Sequence, residues 1–182
     1  MITLRLLDKF TAAKIRDGDI QAFEALINKF KTRIFNYCLH IVTNYHIAEE
    51  ITQEVFIKVY EGIDLYDSQK ASLSTWMFTI AHNTCINSFR NTNKETSLNE
   101  IVIQTKNISV EDQIIIKDYL YKLNEVIQSL SPKDKSLIIM KDYIGLKYSE
   151  ISKIMNLPEG TVKSGLHSIR LKIRKLIGDY YD

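Results

Sequence analysis

The stretch "LKYSEISKIMNLPEGTVKSGLHSIRLKIRKL", Leu146 to Leu176, reads as two helical runs broken by "NLPEG". In the second run Val162, Leu166, Ile169 and Ile173 recur at helical spacing and form one inward face. In the first, Ile151, Ile154 and Met155 do the same, and Leu157 in the turn plugs the space between the runs. Pro158 has its φ already suited to starting the second helix. Thr161, Lys163, Ser164, His167, Ser168 and Arg170 lie around the rest of that helix, with Lys172, Arg174 and Lys175 further along. A helix held this way projects its polar face, and its first turns fit a major groove. Short hydroxyls and Lys163 reach phosphates or base edges, and the distal cations add affinity without sequence information. The pattern is that of a helix-turn-helix; an ordinary helical hairpin with a solvated basic face would share it.

The chain around this motif has 182 residues, room for one domain or two small ones. Its formal net charge is +2, so any nucleic-acid partner must be recognised by local patches. Proline occurs only at Pro132 and Pro158, and apolar residues recur at helical spacing, which predicts an all-α fold. Cys38 and Cys85 have no CxxC or Cys/His neighbour and read as reduced thiols of a cytosolic protein. No apolar run is long enough to span a bilayer, and "MITLRLLDKF" lacks the core and cleavage site of a secretory signal. A cytoplasmic location is expected.

Local punctuation divides the rest. Asp19 caps a helix from about Ile20, with an apolar stripe of Ala22, Phe23, Leu26, Ile27, Phe30, Ile34, Tyr37, Cys38 and Ile41. After a break at "VTNYH", a second helix runs from about Ile47 to Gly62 on the row Ile47, Ile51, Val55 and Val59. "DLYDSQKAS" is a polar loop, and Ser72 or Ser74 caps a third helix carrying Trp76, Ile80, Ile86 and Phe89. From Asn91 to about Ser109 the composition turns to Asn, Thr, Ser and Lys, as in a linker, whose roughly 20 residues reach about 65 Å when extended. Helical spacing resumes at Ile114, Leu120, Leu123 and Ile127, and Ser131–Pro132 is a strong start signal for another helix ending at Gly145. The expected architecture is two small helical domains joined by a flexible linker, the second containing the helix-turn-helix.

Two N-terminal helices have contrasting polar faces. In "HIAEEITQEVFIKVYEG", Glu49, Glu50, Gln53, Glu54 and Glu61 lie opposite the apolar row, with Lys58 among them. Such a face is ordinarily solvated; it could instead dock on a basic protein surface, but not on DNA phosphates. The next helix presents Thr75, Thr79, His82, Asn83, Asn87 and Arg90, groups suited to base edges and sugar–phosphate contacts. Trp76 and Phe89 fit a core better than a stacking platform. A metal site at His46, Glu49 and Glu50 has little support from ligand spacing. No nucleophile–base pair, phosphate-cradling glycine loop or metal cluster appears, so neither catalysis nor a cofactor nor a small-molecule substrate is expected.

Taken in order, "DIQAFEALINKFKTRIFNYCLHIVTNYHIAEEITQEVFIKVY", "STWMFTIAHNTCINSFR", "LSPKDKSLIIMKDYIGLKYSEISKIMNLP" and "EGTVKSGLHSIRLKIRKL" resemble the extracytoplasmic-function (ECF) class of bacterial RNA polymerase sigma factors over nearly the whole chain. The resemblance implies residues 1–92 as sigma region 2, 93–110 as linker and 111–182 as sigma region 4. It implies core RNA polymerase as partner, through the β′ clamp helices and the β subunit, with clamp contact on Glu49, Glu50, Gln53, Glu54 and Lys58. It implies promoter DNA as a second partner. Contact with the -10 element would fall on the loop Leu65 to Ser72, including Tyr66, Asp67 and Ser68, and on Thr75, Thr79, His82, Asn83, Asn87 and Arg90. Contact with the -35 element would fall on Thr161, Lys163, Ser164, His167, Arg170 and Arg174. A partner anti-sigma factor is also implied. Tyr66 is a candidate stacking residue in the loop, a packed anchor being the alternative. Family members commonly carry arginine where this chain has Gly165 and a basic residue where it has Ser168, which would remove charge from the DNA-facing side. A stand-alone helix-turn-helix regulator is the competing reading. It explains the C-terminal motif equally well, but not a polar helix following an acidic docking helix.

Overall fold

The computed structural model describes residues 2–91 and 121–178, with side chains from Arg5 to Ser88 and from Tyr121 to Gly178; the expected linker, 93–110, and Ile114 and Leu120 lie outside them. All regular structure among the described residues is helical. The order is α1 (Ile2–Arg16), α2 (Ile20–Val42), α3 (Tyr45–Glu61), a 3₁₀ turn (Ile63–Leu65) and α4 (Leu73–Asn91). Then come α5, helical over 121–128, α6 (Pro132–Ile138) running into a π turn (Ile139–Tyr143), α7 (Tyr148–Met155) and α8 (Glu159–Gly178).

The caps read from sequence hold the helix starts. The Asp19 carboxylate accepts from Ala22 N at 3.0 Å, Ser72 Oγ from Thr75 N at 3.1 Å and Ser131 Oγ from Asp134 N at 3.1 Å. α3 starts two residues before the expected Ile47, because Asn44 caps it by accepting from Ile47 N at 3.1 Å. α1 was not anticipated. Its exposed Leu6, Leu7 and Phe10 blur the apolar stripe, and among its described side chains only Ala12 and Ile15 are buried.

Leu26, Phe30, Ile34, Tyr37, Cys38 and Ile41 of α2 are buried and packed with Ile51, Val55 and Val59 of α3 and Met77, Phe78, Ala81 and Cys85 of α4. Each large apolar side chain so buried contributes about 1.5–3 kcal/mol. The two cysteines, distant in sequence, are neighbours in this core. A hydrogen bond between them, with burial, pushes the Cys85 thiol well above its ordinary value, so it is an inert structural thiol. The C-terminal core of Leu137, Met140, Leu146, Ile151, Ile154, Val162, Leu166 and Ile169 is continuous with the first. α6 and the π turn touch α2, and α7 lies along α4.

Replacing Ile34, which is wholly buried, by alanine is expected to lower the unfolding free energy by about 2–5 kcal/mol in urea titrations. Thr43 ends α2 in the left-handed region at φ 57°, which a β-branched residue disfavours. Thr43→Gly should therefore raise stability by up to about 1 kcal/mol in the same measurement.

Candidate protein-docking and nucleic-acid surfaces

α3 supplies the negative surface. Its apolar row points at α2, so Glu49, Glu50, Gln53, Glu54 and Lys58 are all exposed on the opposite side. Lys58 pairs with Glu54 at 2.5 Å and donates to Thr84 Oγ1 at 3.2 Å. Among the described residues Glu49 and Glu50 have no ion-pair partner, so the face keeps a net negative charge.

The loop after α3 begins at Gly62, where a Cβ would lie 2.9 Å from the carbonyl oxygen of Lys58; only glycine lets the chain leave the helix there without displacing it. The loop does not offer Tyr66 as a stacking ring. Tyr66 is 5 % exposed, packs on Trp76 with ring centroids 5.3 Å apart, and donates its hydroxyl to Ala71 O at 3.2 Å. Burial, then the charges of Asp8 and Asp67, push its hydroxyl up to about 12, so it stays protonated. The apolar side chain that the loop does present is Leu65, 85 % exposed. Asp67 and Ser68 are half-buried, and the Asp67 carboxylate closes the turn by accepting from Gln69 N at 2.8 Å.

α4 divides its expected polar row. Asn83 and Asn87 are exposed, whereas the side chain of Arg90 is not among those described. Thr75 is 2 % exposed: its hydroxyl meets Ser72 Oγ at 2.8 Å and donates to Glu150 of α7 at 3.4 Å. Thr79 is half-buried and donates to Thr75 O at 2.9 Å. His82 Nδ1 lies 3.0 Å from the Tyr37 hydroxyl, which donates to Ser136 Oγ of α6 at 3.3 Å. Thr75, Thr79 and His82 thus serve the packing of α4 in this arrangement, where α7 and Tyr37 of α2 lie against it.

In the C-terminal unit, Asn156 in the left-handed region and a closed ring hold the turn between α7 and α8. Leu157 N donates to Ser152 O at 3.0 Å, and Ser152 Oγ donates to Leu157 O at 2.6 Å. Val162, Leu166 and Ile169 face inward, and Thr161, Lys163, Ser164, His167, Arg170 and Arg174 are all exposed. Lys163 pairs with Glu159 at 3.1 Å, and the Arg170 guanidinium forks onto Asp142 at 2.5 and 3.2 Å. Arg170 therefore also braces α8 against the π turn. Gly165, expected on the outward side of α8, is half-buried, and a Cβ there would lie 3.3 Å from Leu137 Cδ1 of α6. Its small size lets α8 approach α6, and the open face loses no cation through it. Ser168 is exposed.

Among the described residues no group of three His, Cys, Asp or Glu side chains is placed to hold a metal ion, and no helix is long and apolar enough to cross a membrane.

Burial lowers the pKa of His82, and of His40, below the ordinary 6.5. Between that lowered value and about 6.5 the unfolded chain binds more protons than the folded one, so stability rises with pH through this window. The urea midpoint is expected to be highest above about pH 7 and to fall on acidification below about 6.5. His82→Gln should weaken that fall; an unchanged slope would remove His82 as its source.

The chain is similar to known proteins along its whole length. Residues 26–95 match the family model for Sigma-70 region 2, and residues 120–173 that for Sigma-70, region 4. The ECF RNA polymerase sigma factor SigW of Bacillus subtilis (strain 168) is 30% identical, the alignment covering 97% of this chain and 100% of SigW. The RNA polymerase sigma factor YlaC of the same organism is 28% identical over 85% of this chain and 91% of its own. In fold, the chain is similar to CnrH in its complex with the cytosolic domain of CnrY. The TM-score is 0.73 at 15% identity, over 94% of this chain and 97% of CnrH. It is also similar to the sigma factor RpoE bound to the anti-sigma factor NepR from Bartonella quintana, with a TM-score of 0.68 at 17% identity over 86% and 96% of the two chains. With Sigma-70 region 2 and region 4 matched in order and 30% identity to SigW over 97% of its length, the chain belongs to the ECF RNA polymerase sigma factor family.

Proposed function

We propose that this protein joins core RNA polymerase and directs it to promoters, with the polymerase carrying out all covalent chemistry. The observation that carries the reading is the likeness to SigW over 97% of the chain, which spans both the acidic helix and the helix-turn-helix. In this reading the exposed Glu49, Glu50, Gln53 and Glu54 of α3, with Lys58, dock on the β′ clamp helices, where a negative face favours a basic partner. Asp67 and Ser68 of the loop and Asn83 and Asn87 of α4 contact the -10 element once its bases unpair. Thr75, Thr79 and His82 join them only if α7 leaves α4, and Arg90 extends the row. Thr161, Lys163, Ser164 and His167 meet the -35 element in the major groove, and Arg170 and Arg174 meet phosphates. Region 2 would occupy residues 1–92 and region 4 residues 111–182. The site of action would be the cytoplasm, where the polymerase is.

The packing of α7 on α4 also favours control by an inhibitor. A partner that holds the two units together keeps the -10 surface covered, and CnrH and RpoE were each solved with a bound partner, CnrY and NepR. An anti-sigma factor of this chain would act by the same geometry.

Glu50→Lys with Glu54→Lys is expected to abolish binding to core polymerase while circular dichroism stays unchanged; retained binding would reject the docking face. Lys163→Ala with Arg174→Ala should weaken duplex -35 binding by the holoenzyme and reduce its salt slope by about 1.8, about 0.9 per phosphate contact. In vitro transcription with a promoter library separates this function from a stand-alone regulator. Activity should require added core polymerase, whereas a regulator would bind its operator without it.

A further inference from the structure

Arg33, Tyr37 and His40 follow one another along a single face of α2, and all three meet the C-terminal unit. Arg33 Nη2 donates to Ile144 O, just past the π turn, at 3.3 Å, and its guanidinium lies 5.5 Å from the centre of the Phe78 ring of α4. His40 packs edge-on against Tyr143 of the π turn, with ring centroids 4.2 Å apart. Between them the Tyr37 hydroxyl joins His82 Nδ1 of α4 at 3.0 Å and Ser136 Oγ of α6 at 3.3 Å. His82 also continues the row of Thr75 and Thr79, and Thr75 reaches Glu150 of α7 at 3.4 Å. Two half-buried histidines from different helices therefore stand at the seam where the C-terminal unit closes on α2 and α4.

The ionisable groups of the surrounding elements offer neither ring a balancing negative charge. On the side of His82, α2 brings Arg33, Tyr37 and Cys38, and α4 itself brings Cys85 one turn on. Glu150 of α7 is shared between Lys147 N at 2.8 Å and Thr75, and Lys153 of α7 donates to Lys70 O. Lys135 of α6 is held by Gln128 at 2.6 Å, and Lys58 of α3 is paired with Glu54. On the side of His40, the π turn brings Lys141, Asp142 and Tyr143; Lys141 donates to Leu146 O at 3.2 Å, and the Asp142 carboxylate is taken by Arg170. Glu49 and Glu50 of α3 are exposed on its outer side. Among the described residues neither histidine has an ion-pair partner. Burial without a counter-charge holds both imidazoles below the ordinary 6.5, whereas an opened seam returns them to water. Between the lowered value and about 6.5 the open form binds more protons than the closed one. Closure is therefore favoured above about pH 6.5 and is lost as the pH falls through that window.

We propose that the seam is an acid-released latch: at neutral pH the C-terminal unit is closed on α4, and proton uptake by His40 and His82 lets it swing away. Opening uncovers Thr75, Thr79 and His82 without help from any partner. The acidic face of α3 and the polar face of α8 are exposed in the closed form already, so the latch controls the α4 surface alone. Its meaning for promoter recognition rests on the assignment of α4 to the -10 element.

The test uses the full chain alone, without polymerase or DNA, so a failed latch leaves the promoter reading standing, and the library transcription above judges that reading separately. Spin labels are placed on Glu24→Cys of α2 and Lys172→Cys of α8, both exposed; Cys38 and Cys85 are buried and escape labelling. Between pH 7.5 and 5.5 a second, longer distance should grow in. The open-to-closed ratio should rise by up to about 100-fold, about 10-fold for each histidine one pH unit below 6.5. Circular dichroism should not change over the same range. His40→Gln with His82→Gln should hold the short distance throughout, and His46→Gln, at an exposed position, should open like the wild type. A second measurement needs no histidine variant: the Cε1 proton shifts of His40 and His82 should titrate with the midpoint of the distance change, below 6.5. A distance that stays short down to pH 5.5 would overturn the latch, as would helix content lost in step with the widening. Equal opening in the double glutamine variant would overturn the role of the two histidines, as would His40 and His82 titrating in a chain that remains closed.

Discussion

Ile34, Tyr37, Cys38 and Ile41 stand in successive turns of α2, wholly removed from water, and α2 is in contact with α1, α3, α4 and α6. The remaining surfaces follow from that burial. Once Ile51, Val55 and Val59 are committed to α2, helical periodicity turns Glu49, Glu50, Gln53 and Glu54 to the opposite side. The same burial takes the Tyr37 hydroxyl out of water, and an unpaired hydroxyl there would cost about 1–3 kcal/mol. His82 and Ser136 satisfy it, and in doing so they register α4 and α6 against one helix.

A formal charge of +2 conceals a strong separation of sign. The exposed carboxylates of α3 form one face. Arg5 and Lys9 of α1 and Lys163 and Arg174 of α8 lie on others. A protein that must meet a protein surface and a polyanion at the same time needs this separation, because mixed charges would weaken both encounters. Several cations are tied internally: Arg16 to loop carbonyls, Arg170 to Asp142 and Lys58 to Glu54. Those contacts shape the surfaces.

Thr75 of α4 donates to Glu150 of α7 at 3.4 Å, and Lys153 of α7 donates to the carbonyl of Lys70, in the loop before α4, at 2.5 Å. Hydrogen bonds of this kind contribute about 1 kcal/mol each, an amount that docking on a large partner readily exceeds. The proposed function requires that docking on polymerase and DNA outweigh these contacts together with the apolar packing beside them.

Much of this was legible in the residues. The caps at Asp19, Ser72 and Ser131, the stripe of α2, the acidic row of α3 and the inward row Val162, Leu166 and Ile169 of α8 are local patterns. Hydrogen bonding and periodicity within a few turns dictate them wherever the helix ends up. The sequence by itself determined the helices other than α1, the inward faces of α2, α3 and α8, and the outward charge of α3 and α8. Only the tertiary structure decided that Tyr66 is an anchor and Leu65 the exposed tip, that Thr75 and His82 are covered, and that Gly165 faces Leu137. It also decided that Cys38 meets Cys85, and that Asp8 and Arg16 hold a loop dozens of residues away. Each of these depends on which helix lies opposite, and a contact between residues far apart in the chain leaves no periodic trace in either one.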